Sequence, residues 1–132
     1  MALADSNGMP IGNEIFSASP HEVTLVEITL EARFIDALPE RLIGDGAYDS
    51  DPLDEELAEK GIEVIAPHKS NRVRSPTQDG RAFRRYRKRW KIERMNSWLQ
   101  NFRRVLTRWE WKAQNFRAMV EFACCAILAR RL

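Results

Sequence analysis

The sequence has few residues of the kinds that mark secreted or zinc-binding proteins. Its two cysteines, Cys124 and Cys125, are adjacent and have no third thiol to pair with. This usage favours a reducing compartment, and both are predicted to be small core residues. The two histidines have no cysteine or histidine at the spacing of zinc ligands, which argues against a zinc site.

Long hydrophobic runs and a secretion signal are also lacking. The longest apolar run, residues 122–129, is far too short to span a bilayer. Residues 2–14 carry an aspartate, two glycines and a proline where a signal peptide has a basic start and an apolar run. We therefore expect a cytoplasmic protein without a membrane partner. No GxGxxG or Walker phosphate loop is present either.

Charge is distributed unevenly along the 132 residues, which suffice for one domain. Residues 1–65 contain fifteen acidic and three basic side chains, whereas residues 66–132 contain four acidic and eighteen basic ones. Such polarity can attract a polyanion to the basic half. Charge alone does not decide between this interpretation and neutralisation of the two halves on folding.

Turn signals and hydrophobic periodicity predict a mixed α/β domain. Asn7-Gly8 favours a hairpin, Pro52 favours the first turn of a helix, and Gly61 favours its end. The predicted order is strands at 1–4 and 9–17, a loose helix at 24–35, a strand at 41–44, a helix from 50 to 61, a strand at 62–66 and a mobile polar loop at 68–80.

The remainder, from about residue 80 to 132, is predicted to be a helical segment. Apolar residues step by three and four along one long helix, with a core stripe at Ile92, Met95, Leu99, Phe102 and Leu106. A second helix at 113–128 has its stripe at Phe116, Val120, Ala123, Cys124 and Ile127.

One acidic side chain interrupts a strongly basic stretch. Glu93 is the only acid in residues 81–104, which carry ten arginines and lysines. On a helix, Tyr86, Arg89 and Glu93 would share one face within roughly 60° of arc. A phosphate-binding arginine beside a metal ligand suits chemistry on a nucleic-acid backbone. One alternative is a DNA-binding stretch whose bases contact phosphates while Glu93 only pairs with Arg89 across a helical turn. The simplest interpretation of the basic stretch is a solvated face.

Asp45 is the second candidate, because the carboxyl ends of strands in α/β sheets often carry ligands and catalytic groups. Gly44 and Gly46 let another group approach its backbone closely. The simpler interpretation is an aspartate that ends a strand and begins a turn. The acids that follow lack the spacing of an EF-hand loop and are attributed to helix capping: Asp49, Asp51 and Asp54.

Four segments together carry a recognisable pattern. Residues 42–50 read LIGDGAYDS, residues 86–94 read YRKRWKIER, residues 97–104 read SWLQNFRR and residues 126–132 read AILARRL. They resemble the C-terminal part of the catalytic domain of DDE-type insertion-sequence transposases, in the insertion-sequence-five-like group. Tyr86, Arg89 and Glu93 match the family's Y-(2)-R-(3)-E signature.

The resemblance implies an RNase H-like mixed sheet with flanking helices, and a partial catalytic domain over residues 1–132. Asp45 matches the second catalytic aspartate and Glu93 the catalytic glutamate. Both would bind Mg²⁺ or Mn²⁺, with two ions in the complete site, for phosphoryl transfer on DNA. The side chains expected to bind DNA are Tyr86, Arg89, Arg103 and Arg104.

The resemblance also implies a missing part. The family takes its first catalytic aspartate from a strand before the hairpin, whereas this sequence begins at the hairpin and its Asp5 matches the hairpin turn. The first strand is therefore expected to be absent, which leaves unpaired sheet edges. The function predicted is a transposase fragment, inactive alone, whose partners are transposon-end and target DNA, an upstream transposase portion and further copies of itself. The alternative is a non-catalytic basic DNA-binding module or remnant.

Overall fold

The computed structural model of the protein describes residues 1–76 and 82–131. It confirms the mixed α/β class, with two small sheets. The strands are β1 (Ala2–Ala4), β2 (Pro10–Asn13), β3 (Arg41–Ile43) and β4 (Glu63–Ile65). The helices are α1 (Val26–Glu31), α2 (Asp51–Glu59), α3 (Ala82–Tyr86), α4 (Trp90–Gln100), α5 (Arg103–Leu106) and α6 (Ala113–Ala129), with 3₁₀ turns at Glu22–Leu25, Gly46–Tyr48 and Arg87–Arg89.

The chain divides into two compact units. The hairpin unit comprises Met1–Pro20, Leu25–Asp36 and Trp90–Leu132, and the parallel-strand unit comprises His21–Thr24 and Ala37–Arg89.

The last part of the predicted 68–80 loop and Arg81, the first base of the basic stretch, lie outside the described residues. Within the described part of the chain, no helix has the length and apolar character needed to cross a membrane.

The hairpin unit begins with the hairpin that the sequence predicts, since β1 and β2 pair antiparallel. The Asp5 carboxylate accepts hydrogen bonds from the backbone N–H groups of Asn7 and Met9, both at 2.8 Å. Gly8 adopts a φ of 79°, a left-handed conformation that glycine adopts at little cost. Asp5 is therefore a turn residue, as the sequence indicates.

The core of the hairpin unit is formed mainly by α4 and α6. Its buried side chains are Met95, Leu99, Val120, Ala123, Cys124 and Ile127. The prediction that both cysteines lie in the core was wrong for Cys125, which is exposed. Each residue of an α-helix is rotated by about 100° from the one before. Ala123 and Cys124 occupy the core-facing arc of α6, and Cys125 lies beyond it.

The single long helix predicted through residue 106 was wrong, because the chain is interrupted twice. A 3₁₀ turn separates α3 from α4. After α4 the backbone becomes extended at Phe102, with φ of −87° and ψ of 110°, before α5 begins. The helical period is lost at this residue, so Leu106 does not continue the core stripe and is 63% exposed.

The parallel-strand unit contains β3 and β4, which pair in parallel with Ile43 opposite Ile65. Helix α2 connects the two strands, and its Leu53 and Leu57 are buried. Gly61 has a φ of 75°, which explains why α2 ends just before it. Parallel pairing brings the carboxyl ends of both strands to the same edge, and the segments that follow them hold the candidate site.

Candidate functional site

Asp45 lies just beyond β3, at the place that the sequence predicts. The Gly44 N–H donates to the Ile65 carbonyl at 3.0 Å, so strand pairing continues to the preceding residue. Asp45 Oδ1 accepts a hydrogen bond from the Ala47 N–H at 2.8 Å and thereby caps the 3₁₀ turn. Its Oδ2 lies 3.4 Å from Arg89 Nη1. The Asp45 side chain is 45% exposed, so its position is held by the backbone while it remains accessible.

Arg89 and Tyr86 lie together in the same unit as Asp45. The Arg89 guanidinium carbon is 5.8 Å from the centre of the Tyr86 ring, within the range of a cation–π contact. Side chains three residues apart eclipse in a 3₁₀ turn, and Arg87–Arg89 form such a turn. The structure therefore brings together Asp45, Arg89 and Tyr86.

A 3₁₀ turn at Arg87–Arg89 interrupts the α-helix on which Tyr86, Arg89 and Glu93 are predicted to share a face. A 3₁₀ turn rotates the chain by about 120° per residue, compared with about 100° in an α-helix. Glu93 is exposed in the first turn of α4, and its backbone carbonyl accepts a hydrogen bond from Ser97 Oγ at 3.1 Å. It belongs to the hairpin unit, as do Arg103 and Arg104 of α5.

The donor types of the two candidate carboxylates suit a hard divalent cation, because Mg²⁺ prefers oxygen ligands. The described residues do not place enough of these donors together to hold an ion. Residues 1–76 and 82–131 contain no group of three or more histidine, cysteine, aspartate or glutamate side chains arranged to hold a metal ion. The positive charge of Arg89 beside Asp45 also opposes cation binding at that carboxylate. The described residues therefore do not form a complete metal centre.

A polar cluster that the sequence did not predict begins at Asp49, just after the turn that Asp45 caps. The Asp49 side chain is 3% exposed, and its Oδ1 lies 2.8 Å from His68 Nδ1 and 2.7 Å from Arg72 Nη1. Its Oδ2 accepts the Lys69 N–H at 2.8 Å. Burial opposes ionisation, but the hydrogen bonds from Lys69 and His68 and the charge of Arg72 hold the pKa of Asp49 below its ordinary value.

Asp51 continues this cluster and corrects the capping prediction. Arg74 Nη1 and Arg72 Nη2 donate to its two carboxylate oxygens at 2.7 and 2.5 Å, and these hydrogen bonds lower the pKa of Asp51. Ser50, which precedes α2, makes no side-chain capping bond. The partners lie more than twenty residues apart in the sequence, so no local spacing could have revealed these pairs.

Comparison with known proteins identifies the family. Residues 1–128 match the family model described as "Transposase DDE domain". The chain belongs to this family. It is 30% identical over 139 residues to the "Putative transposase for insertion sequence element IS402" of Burkholderia cepacia, an alignment that covers 95% of this chain. The resemblance stated from the sequence motifs is thereby confirmed.

This DDE transposase chain spans about 59% of the length of the curated relative. No solved structure matches it. The family generally uses divalent metal ions, which agrees with the carboxylate character of Asp45 and Glu93.

Proposed function

We propose that this chain is the C-terminal part of a transposase catalytic domain with an RNase H-like fold, which cuts and joins transposon-end DNA. The proposal rests on family membership and on one structural observation. Asp45 and Arg89, a carboxylate that suits a metal ion and a guanidinium that suits a phosphate, lie side by side beyond the end of β3. A metal-assisted reaction on a DNA backbone can use both kinds of group, one to hold the ion and one to hold the phosphate.

In this proposal, Asp45 and Glu93 are catalytic carboxylates that bind Mg²⁺ or Mn²⁺, with two ions in the complete site. Bound ions would supply polarisation of the phosphoryl oxygens and an activated hydroxyl. A further carboxylate comes from an upstream portion of the transposase, since the described residues do not complete a metal centre. The side chains that bind and orient the DNA backbone are Tyr86, Arg89, Arg103 and Arg104.

DNA cleavage tests this function. The assay measures Mg²⁺- and Mn²⁺-dependent cutting of DNA that carries the element's ends, by the 132-residue chain alone and by the chain joined to the upstream transposase portion that this proposal requires. We expect cutting only by the joined protein, and its loss in Asp45→Asn and Glu93→Gln.

Asp45→Asn is an informative variant because asparagine retains an oxygen that can cap the 3₁₀ turn while it removes the charge. Loss of cutting would then reflect the missing charge. The control is Asp36→Asn, which removes a charge from an exposed position in the hairpin unit. If Asp45→Asn cuts as well as the unmodified joined protein, Asp45 is not a catalytic carboxylate.

The alternative function is a non-catalytic DNA-binding module. It is favoured by the excess of bases in residues 81–104 and by the lack of a three-donor metal group within the described ranges. This module would bind DNA in the presence of EDTA, with an affinity that falls steeply as salt rises. It would not cut DNA when joined to the upstream segment, which separates it from the transposase.

A further inference from the structure

An exposed aromatic and basic segment lies in the hairpin unit at residues 103–112, which we call the Trp loop. Trp109 is 69% exposed and Trp111 is 95% exposed. Burial of large aromatic side chains is energetically favourable, so two exposed tryptophans two positions apart indicate a surface that a ligand covers.

The Trp loop is braced by Glu110, whose side chain is 7% exposed. It accepts hydrogen bonds from Arg104 Nη1 at 3.0 Å and from the Trp109 N–H at 3.2 Å. Burial alone would raise the pKa of Glu110, but the hydrogen bonds from Arg104 and the backbone lower it. The one acidic side chain of the loop is therefore engaged in holding its backbone.

Arg108 also holds the same backbone through hydrogen bonds. Its guanidinium donates to the carbonyl oxygens of Glu110 at 3.1 Å and Trp111 at 3.4 Å. It also lies 5.4 Å from the centre of the Phe116 ring on α6. The backbone that carries the tryptophans is thus held before a ligand arrives, which lowers the entropy cost of binding.

The charge of the Trp loop indicates which ligand it suits. Residues 103–112 contain four basic side chains and one acidic side chain. Arg103 and Lys112 are exposed at either end of the loop. Exposed aromatic rings combined with arginine and lysine are typical of surfaces that bind unpaired nucleotides, because the bases stack on the rings while the cations contact the phosphates.

We propose that the Trp loop binds unpaired nucleotides of DNA, with Trp109 and Trp111 stacking on bases and Arg103 and Lys112 contacting phosphates. This inference rests on the proposed function, since it takes DNA as the ligand. It adds a preference for exposed bases over paired ones, which a surface made only of cations would not have.

The experiment measures the affinity of the 132-residue chain for three labelled DNA molecules by fluorescence anisotropy at low salt. One is a blunt duplex, one is the same duplex with a short single-stranded extension, and one carries an abasic extension with the same phosphates. We expect the extension with bases to bind more tightly than the abasic one. Trp111→Ala should weaken binding of the extended duplex by roughly tenfold and leave the blunt duplex unchanged.

Two further variants keep the result interpretable. Trp111→Tyr retains an aromatic ring and should keep most of the preference for the extension with bases. Phe122→Ala removes another exposed aromatic side chain of the hairpin unit, outside the basic loop, and should change none of the three affinities.

The outcomes separate this inference from the proposed function. If the abasic and normal extensions bind equally, or if Trp111→Ala weakens all three affinities alike, the Trp loop does not bind bases although the chain still binds DNA. If the unmodified chain binds none of the three molecules, the proposed function fails as well. A shift from dimer to monomer in Trp111→Ala, with DNA binding unchanged, would make the Trp loop a protein interface and overturn the inference.

Discussion

The Asp45 carboxylate lies 3.4 Å from the guanidinium of Arg89, forty-four residues later in the chain. Both side chains are partly exposed, so solvent screening limits what the pair contributes to stability. The pair is more informative about function. A phosphate that approaches Arg89 and a cation that approaches Asp45 would each compete with this contact, which couples the binding of the two ligands.

Replacing Arg89 with alanine should weaken DNA binding. Loss of one phosphate contact should reduce the affinity by roughly tenfold and lower the slope of log affinity against log salt by about one. The control is Arg41→Ala, which removes the same charge from β3 in the same unit, where Arg41 pairs with Glu63. Anisotropy titrations at several salt concentrations measure both quantities. Equal effects of the two substitutions would mean that Arg89 acts only through its charge.

Asp49→Asn should destabilise the parallel-strand unit, because it removes the charge from a buried carboxylate that binds His68, Lys69 and Arg72. Losing hydrogen bonds between charged groups at a buried position costs about 2 kcal/mol. Urea unfolding followed by circular dichroism measures the change. Asp36→Asn, at an exposed position, should have an unfolding midpoint close to that of the unmodified chain.

Lowering the pH should weaken the polar cluster around Asp49. The pKa of Asp49 is lowered in the folded chain, so its stabilisation is complete above the unfolded pKa of about 4 and is lost as the pH falls through the folded value. The free energy of unfolding should therefore decline more steeply below about pH 4 in the unmodified chain than in Asp49→Asn. Burial raises the pKa of Asp54, which acts in the opposite direction and is present in both proteins. Parallel pH profiles would mean that Asp49 does not contribute.

Leu99 and Leu106 provide a matched test of the break between α4 and α5. Leu99 is buried in the core, whereas Leu106 is exposed. Leu99→Ala should lower the free energy of unfolding by about 2 to 5 kcal/mol through a cavity, and Leu106→Ala by less than about 0.5 kcal/mol. Comparable losses in urea unfolding would indicate that α4 continues through residue 106 as the sequence predicted.

The adjacent cysteines should react at different rates. Burial raises the pKa of the Cys124 thiol to about 11, with smaller effects from Cys125 and Glu121, and only the thiolate is reactive. Cys125 is exposed. Alkylation at mildly alkaline pH, followed by mass spectrometry, should modify Cys125 first, and Cys125→Ser should leave a single slow site. Rapid modification of that variant in its folded state would show that Cys124 is accessible.

Several elements follow from signals that act over a few residues. The Asn7-Gly8 turn, the end of α2 before Gly61 and the apolar stripe of α6 were predicted because each depends on local backbone preference or helical spacing. The extended backbone at Phe102 was missed for a related reason. The apolar spacing continues to Leu106, and spacing records which side chains are apolar without recording whether the backbone remains helical.

The candidate site was only partly predictable. The sequence singled out Asp45 by its place after a strand, and Tyr86 and Arg89 by their spacing beside Glu93. It gave no sign that Asp49 would bind His68 and Arg72, because these side chains meet through contacts between distant segments. Asp49 and Asp51, which were predicted to cap a helix, instead bind side chains of the segment that follows β4.

The sequence by itself determined the family, the mixed α/β class and the identities of the candidate side chains, because motifs and periodicity are read from neighbouring residues. Only the tertiary structure decided which of those side chains meet. Parallel pairing of β3 with β4 brings the ends of both strands to one edge, and the 3₁₀ turn after α3 directs Arg89 to Asp45. Such contacts depend on how distant segments pack, which local sequence preferences do not specify.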